Sequence, residues 1–247
     1  MSTELPQKKP HKGIYLLPNL FTIAAMFFGF YAIIAGTKGH FENAATAVFV
    51  AMLLDALDGR VARLTHSQSE FGAQLDSLSD LICFGLTPSL VFYNWALSTL
   101  GKAGWLAAFI FTVCAALRLA RFNSQAESDD KRFFRGLSTT AAAGFMAGML
   151  WVANTYGLDG HRYAVCIAAL TVIVGLLEVS MFKYRSFKDI DMRGKVPFLV
   201  ILLIVLALVL VSYNPPVVLC MVFGVYAFSG PVMWVWHFLF KSKQRNV

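Results

Sequence analysis

The chain has 247 residues, enough for one domain or at most two. Hydrophobic residues make up 57% and charged residues 14%, against ~45–50% and ~25% in soluble domains. With a mean hydropathy of +0.62, this composition excludes an ordinary water-soluble fold. The net charge of +7 does not indicate nucleic acid as a partner: the basic residues flank apolar runs and form no separate soluble domain. The cysteines Cys83, Cys114, Cys166 and Cys220 lie in apolar stretches without motif spacing, so neither a disulfide framework nor a zinc site is expected.

A hydrocarbon core of ~30 Å needs about 20 helical residues. Apolar runs of that kind fall at 16–36, 43–64, 77–100, 104–122, 137–156, 163–182, 196–212 and 216–240. They predict an all-α integral membrane protein, a bundle of about eight transmembrane helices. Helix is required because open strands leave backbone groups unsatisfied in lipid, and the period-2 pattern of a barrel is absent. With that count, both termini share one face. Only Lys38, Lys102 and Arg162 fall on the opposite face, and the other 18 of the 21 Lys and Arg mark the terminal face as cytoplasmic. The expected organisation is a cytoplasmic segment over 1–15, a single catalytic transmembrane domain over 16–240 and a basic tail over 241–247. A bacterial-type inner or plasma membrane is the expected setting.

The first run opens on Pro18, Asn19 and Thr22, residue types also common at a helix start. The second and third runs carry the acidic residues. Asp55 and Asp58 are three apart and share a helix face; Asp76 and Asp80 are four apart and share another. The polar connection between them is short, so the two helices are expected to be antiparallel neighbours whose four carboxylates converge at the cytoplasmic end. Acidic residues within spans are costly to insert. Four together repel unless cations neutralise them, and all-oxygen ligands suit Mg²⁺ or Mn²⁺. Two such ions about 3.5–4 Å apart can grip a diphosphate. Gly59, Ala62 and Gly72 leave room for a close approach by a ligand or a helix, and Arg63 can reach a phosphate.

The pattern Asp55-x2-Asp58-Gly59-x2-Ala62-Arg63-x8-Gly72-x3-Asp76-x3-Asp80 resembles the signature of the CDP-alcohol phosphatidyltransferases. At roughly 7% per residue type, eight fixed positions coincide by chance in about one window per billion. The resemblance implies a reaction: an alcohol attacks the lipid-side phosphorus of a CDP-linked lipid, and CMP leaves. It implies that Asp55, Asp58, Asp76 and Asp80 ligate two metals, with Asp80 also the general base. Gly59, Ala62, Arg63 and Gly72 then contact the nucleotide, and Asn19 and Thr22 resemble a family stretch facing it. A homodimer is implied as well.

Further along, Arg118-Leu119-Ala120-Arg121-Phe122-Asn123, Phe134-Arg135-Gly136-Leu137 and Tyr184-Arg185-Ser186-Phe187-Lys188 resemble the phosphatidylserine synthase branch of that family. Ser138, Thr139 and Thr140 stand where that branch commonly has proline. The resemblance implies CDP-diacylglycerol as donor and serine as acceptor. Arg118, Arg121, Asn123, Arg135, Arg185 and Lys188 are the acceptor-binding candidates, since arginine suits carboxylate binding. Positive-inside topology also predicts basic residues there. Glycerol 3-phosphate, inositol phosphate or choline are alternative acceptors, and a cation transporter using the aspartates is the alternative class. Glu178 lies in an apolar run; an interior position, a basic partner or a substrate amine would each account for it.

Overall fold

The computed structural model describes residues 16–65, 67–125, 133–185 and 198–244. Nearly all of them are helical. Helix α1 (Leu16–Thr37) turns through 38–40 into α2 (Phe41–Leu64). Helix α3 (Glu70–Asp80) continues through a π-helical segment (Leu81–Leu86) into α4 (Thr87–Trp95). Helices α5 (Lys102–Gln125), α6 (Thr139–Thr155), α7 (Ala164–Val179), α8 (Phe198–Tyr213) and α9 (Pro215–Gln244) follow. Five helical stretches are long and apolar enough to cross a membrane: Leu16–Thr37, Glu70–Trp95, Lys102–Ser124, Gly160–Val179 and Pro215–Trp236.

Small residues set the packing, as they do where helices associate in lipid. On α1, Ala25, Gly29, Ala32 and Ala35 are buried, and on α2 so are Ala44, Ala45, Ala47, Val48 and Ala51. A Cβ on Gly29 would lie 2.9 Å from Cys83 Sγ, and one on Gly36 would lie 3.1 Å from Val91. The π segment and α4 therefore ride directly on the α1 backbone. Ser79, Cys83 and Thr87, each four residues from the next, donate to the α1 carbonyls of Thr22, Ala25 and Gly29 at 3.3, 3.3 and 3.2 Å. The widened turn has a local cause. Pro88 has no N–H, and its ring crowds the carbonyl four residues back. Thr87 Oγ1 bonds the Ile82 carbonyl at 2.8 Å, which ties off the segment.

Helix α6 runs through the middle of the bundle, with eleven of its seventeen residues buried. Its glycines bring α9 close: a Cβ on Gly148 would fall 2.8 Å from Cys220 Cα. One element departs from the all-helical expectation. Strands β1 (Phe133–Arg135) and β2 (Lys183–Arg185) pair antiparallel, Phe134 opposite Tyr184. They tie the chain before α6 to the chain after α7. Tyr184 is fully buried, and its hydroxyl donates to the Ala227 carbonyl of α9 at 2.9 Å. That carbonyl needs an outside donor because Pro231, four residues on, cannot supply an N–H.

Candidate active site

Asp55 lies nine residues before the end of α2, and Asp80 lies ten residues after the start of α3. At 1.5 Å per residue, each is ~14–15 Å inside its helix end. Carboxylate oxygens of Asp55, Asp76 and Asp80 all lie within 4.8 Å of one another. Asp58 turns elsewhere. A step of three residues rotates a side chain by ~60° around the helix, so Asp55 faces the other aspartates while Asp58 faces α1. There Thr22 Oγ1 donates to Asp58 Oδ2 at 2.7 Å. Both α2 and α3 have α1 as their main packing partner, so α1 is the floor on which the two acidic helices are laid. The donor set is carboxylate oxygen throughout, and Asp80 Oδ1 is buried without a hydrogen-bond partner. Three mutually repelling carboxylates with an orphaned oxygen fit a hard divalent cation.

Beside this group, between α1, α2 and α3, opens a cavity of about 270 Å³. Asn19, Thr22, Gly59, Ala62, Arg63 and Gly72, the six residues singled out for nucleotide contact, all line it. Asp58 and Asp76 line it as well. Asp76 thus belongs both to the carboxylate group and to the cavity wall. Ser69 caps α3, accepting from the Gly72 N–H at 3.0 Å. A Cβ on Gly72 would crowd Asn19 Oδ1 at 3.2 Å, whereas one on Gly59 would meet only Arg63 Nη1 at 3.6 Å. Packing explains the bare Cα of Gly72. It does not explain that of Gly59, which faces open space. Ser67, Gln68 and Ser69 also line the cavity. These three carry no motif, and the sequence marks them only as part of a polar connection.

The basic candidates do not form one group. The charge of Arg118 acts on Asp80, and its Nη1 donates to Thr139 Oγ1 at 3.4 Å. Asn123 Nδ2 donates to Ser77 Oγ at 3.0 Å, next to Asp76. Arg121 Nη2 meets Met181 Sδ at 3.3 Å. Arg135 is exposed at the end of β1. For Arg185 the backbone in β2 is described, and Lys188 lies outside the described residues. Glu178 is 1% exposed in the last turn of α7.

An acidic group able to hold a metal ion, set beside a polar cavity in a helical chain with membrane-length apolar stretches, suits a membrane transferase. Residues 15–177 match the family model for CDP-alcohol phosphatidyltransferase, and the chain belongs to that family. It is similar to proteins named CDP-diacylglycerol–serine O-phosphatidyltransferase. The one from Helicobacter pylori is 35% identical over 227 residues, 92% of this chain and 94% of that one. The one from Methanocaldococcus jannaschii is 32% identical over 195 residues, 78% of this chain and 87% of that one. The one from Mycobacterium tuberculosis is 35% identical over 157 residues, 62% of this chain and 54% of that one.

Proposed function

We propose that the protein transfers the phosphatidyl group of CDP-diacylglycerol to the hydroxyl of serine, giving phosphatidylserine and CMP. The observation that carries this reading is the position of Asp76, shared by the carboxylate group and the cavity. A diphosphate reaching from that cavity to those carboxylates would be gripped at the bond that breaks. The donor and acceptor follow from the names of the relatives.

In this reading the cytidine end enters the cavity along Asn19, Thr22 and the bare face of Gly59. Ala62 and Gly72 shape the wall, and Arg63 contacts a phosphate. Asp55, Asp58, Asp76 and Asp80 would hold two divalent cations, Mg²⁺ or Mn²⁺, which when bound neutralise the diphosphate and stabilise the departing CMP. Asp80 takes the proton of the serine hydroxyl. The serine oxygen forms a bond to the lipid-side phosphorus. The bond from that phosphorus to the bridging oxygen breaks, and its electron pair leaves with CMP. Arg118, Arg121, Asn123, Arg135, Arg185 and Lys188 remain the pool from which acceptor contacts are drawn.

The proposal includes the eight-span topology with both termini and the active site at the cytoplasmic face. Helix α2 carries too many charges for an apolar span, yet 24 residues cover ~36 Å, and it packs against α1 after a short turn. Helix α6 is shorter but wrapped by protein, so lipid does not set its composition. The segment over 1–15 and the tail over 241–247 then lie on the cytoplasmic side of one catalytic domain, and the working assembly is a homodimer.

Purified protein with Mn²⁺ or Mg²⁺, CDP-diacylglycerol and L-serine should release CMP, and a chelator should stop release until metal is restored. Asp76→Asn and Asp80→Asn should each lower turnover by at least about 100-fold while the protein stays folded in detergent. Substantial residual turnover in either variant contradicts the assigned roles. Release with glycerol 3-phosphate, inositol phosphate or choline but not serine would move the acceptor and keep the family.

A further inference from the structure

A cation at the aspartates accounts for Asp80 Oδ1. Among the described residues, three other buried side-chain atoms have no hydrogen-bond partner: Arg118 Nε and both carboxyl oxygens of Glu178. Buried polar atoms are normally paired, and the exceptions call for a cause. Glu178 is the sharper case. It is 1% exposed, and it sits one residue from the end of α7, where the helix dipole disfavours a negative charge. Packing alone would select an apolar side chain at such a position.

The two residues lie on helices that pack together, α5 and α7. The charge acting on Glu178 is that of Arg118, and Arg118 in turn feels Glu178, Asp80 and Tyr226. Their helices are pressed together nearby. A Cβ on Gly175 would lie 3.0 Å from Phe111 Cα, and one on Gly85 would lie 3.0 Å from Ala115 Cβ. Helix α5 is thereby clamped between α7 and the π segment that begins right after Asp80. Arg118 is within electrostatic reach of both Asp80 and Glu178.

We propose that Arg118 and Glu178 form the subsite for the acceptor's amino-acid group: Arg118 takes the α-carboxylate, Glu178 takes the α-ammonium, and the hydroxyl is left facing Asp80. This rests on the serine-transfer reading and deepens it. Each charged group of serine meets an oppositely charged side chain that keeps at least one buried atom without a hydrogen-bond partner. An acceptor without an ammonium leaves both Glu178 oxygens buried without a hydrogen-bond partner, and one without a carboxylate leaves Arg118 Nε so. Sites built on such pairing reject analogues that lack the group far more strongly than apolar pockets do. A phosphorylated alcohol would bring a second anion against Glu178.

Two measurements on the full-length protein test this. On wild-type protein, 3-hydroxypropanoate (no ammonium) and ethanolamine (no carboxylate) compete with serine in the CMP-release assay. Each should bind at least about 100-fold more weakly than serine. In Glu178→Gln, the serine KM should rise about tenfold or more while the KM for CDP-diacylglycerol stays within about twofold. A merely structural ion pair would instead lower stability and affect both substrates alike. The subsite is overturned if 3-hydroxypropanoate competes as well as serine, or if Glu178→Gln keeps the serine KM of the parent. Should Glu178→Gln not fold, the competition measurement still decides. Wild-type protein that is inert with serine but active with another alcohol overturns the serine reading, and the subsite with it.

Discussion

Gly59 and Gly72 occupy the same cavity for different reasons, which makes them separable. At Gly72 the missing Cβ keeps clear of Ser69 and Asn19, so an added methyl pushes on the protein itself. At Gly59 nothing in the protein comes closer than Arg63. Gly59→Ala should therefore leave folding stability equal or raise it, since Ala is the better helix former by roughly 0.5–1 kcal/mol. The same variant should raise the KM for CDP-diacylglycerol by about tenfold, because a displacement of about an ångström at a reacting centre is expensive. Thermal unfolding in detergent and CMP-release kinetics read the two effects. A drop in stability with unchanged KM would show that Gly59 serves packing. The aspartates divide in a similar way: Asp58 is anchored by Thr22 at 2.7 Å, whereas Asp55 reaches Asp80.

Among the elements, α9 and β2 depend on each other. Pro231 breaks the hydrogen-bond ladder of α9, and the Tyr184 hydroxyl restores a donor to the freed Ala227 carbonyl. Gly230 makes the approach possible, since a Cβ there would fall 2.5 Å from the Tyr184 ring. Tyr184 pairs with Phe134 across the short sheet, and Gly136, just past β1, donates to the Phe182 carbonyl at 2.9 Å. The hydroxyl thus anchors a strand pair whose β1 leads into α6 and whose β2 follows α7. Tyr184→Phe leaves a buried acceptor without a donor and should cost about 1–3 kcal/mol. The expected readout is a lower Tm in detergent with little change in the serine KM. An unchanged Tm would mean that the carbonyl finds another donor.

For the whole molecule the testable property is sidedness. The turns over 38–40, 96–101 and 156–163 gather at one end of the bundle: Gly160 sits against Trp95, and Trp151 Nε1 donates to Glu42 at 3.3 Å. The cavity lining at Gln68 belongs to the other end. In a background lacking the four native cysteines, Gln68→Cys should react with an impermeant thiol reagent only from the cytoplasmic side. Leu158→Cys should react only from the opposite side. Labelling of both from the same side would overturn the proposed topology. A cytoplasmic opening also suits the chemistry, because serine and CMP exchange with water while the acyl chains stay in lipid.

Local pattern determined much of this protein. Helix positions follow from run length, and the acidic motif follows from spacing within 26 residues, because both depend on residues close in sequence. Gly59, Ala62, Arg63 and Gly72 belong to that motif, Asn19 and Thr22 come from a separate stretch, and folding sets all six around one cavity. Tertiary structure decided the rest. Which neighbour Asp55 and Asp58 each face depends on where α1 lies. The three-residue strands over 133–135 and 183–185 are too short for any alternation to register, and their pairing spans two helices. Glu178 is an isolated acid in an apolar run, and only folding brings the charge of Arg118, sixty positions away in the sequence, to bear on it. A buried charge acquires meaning only from the groups that surround it, and those come from other helices.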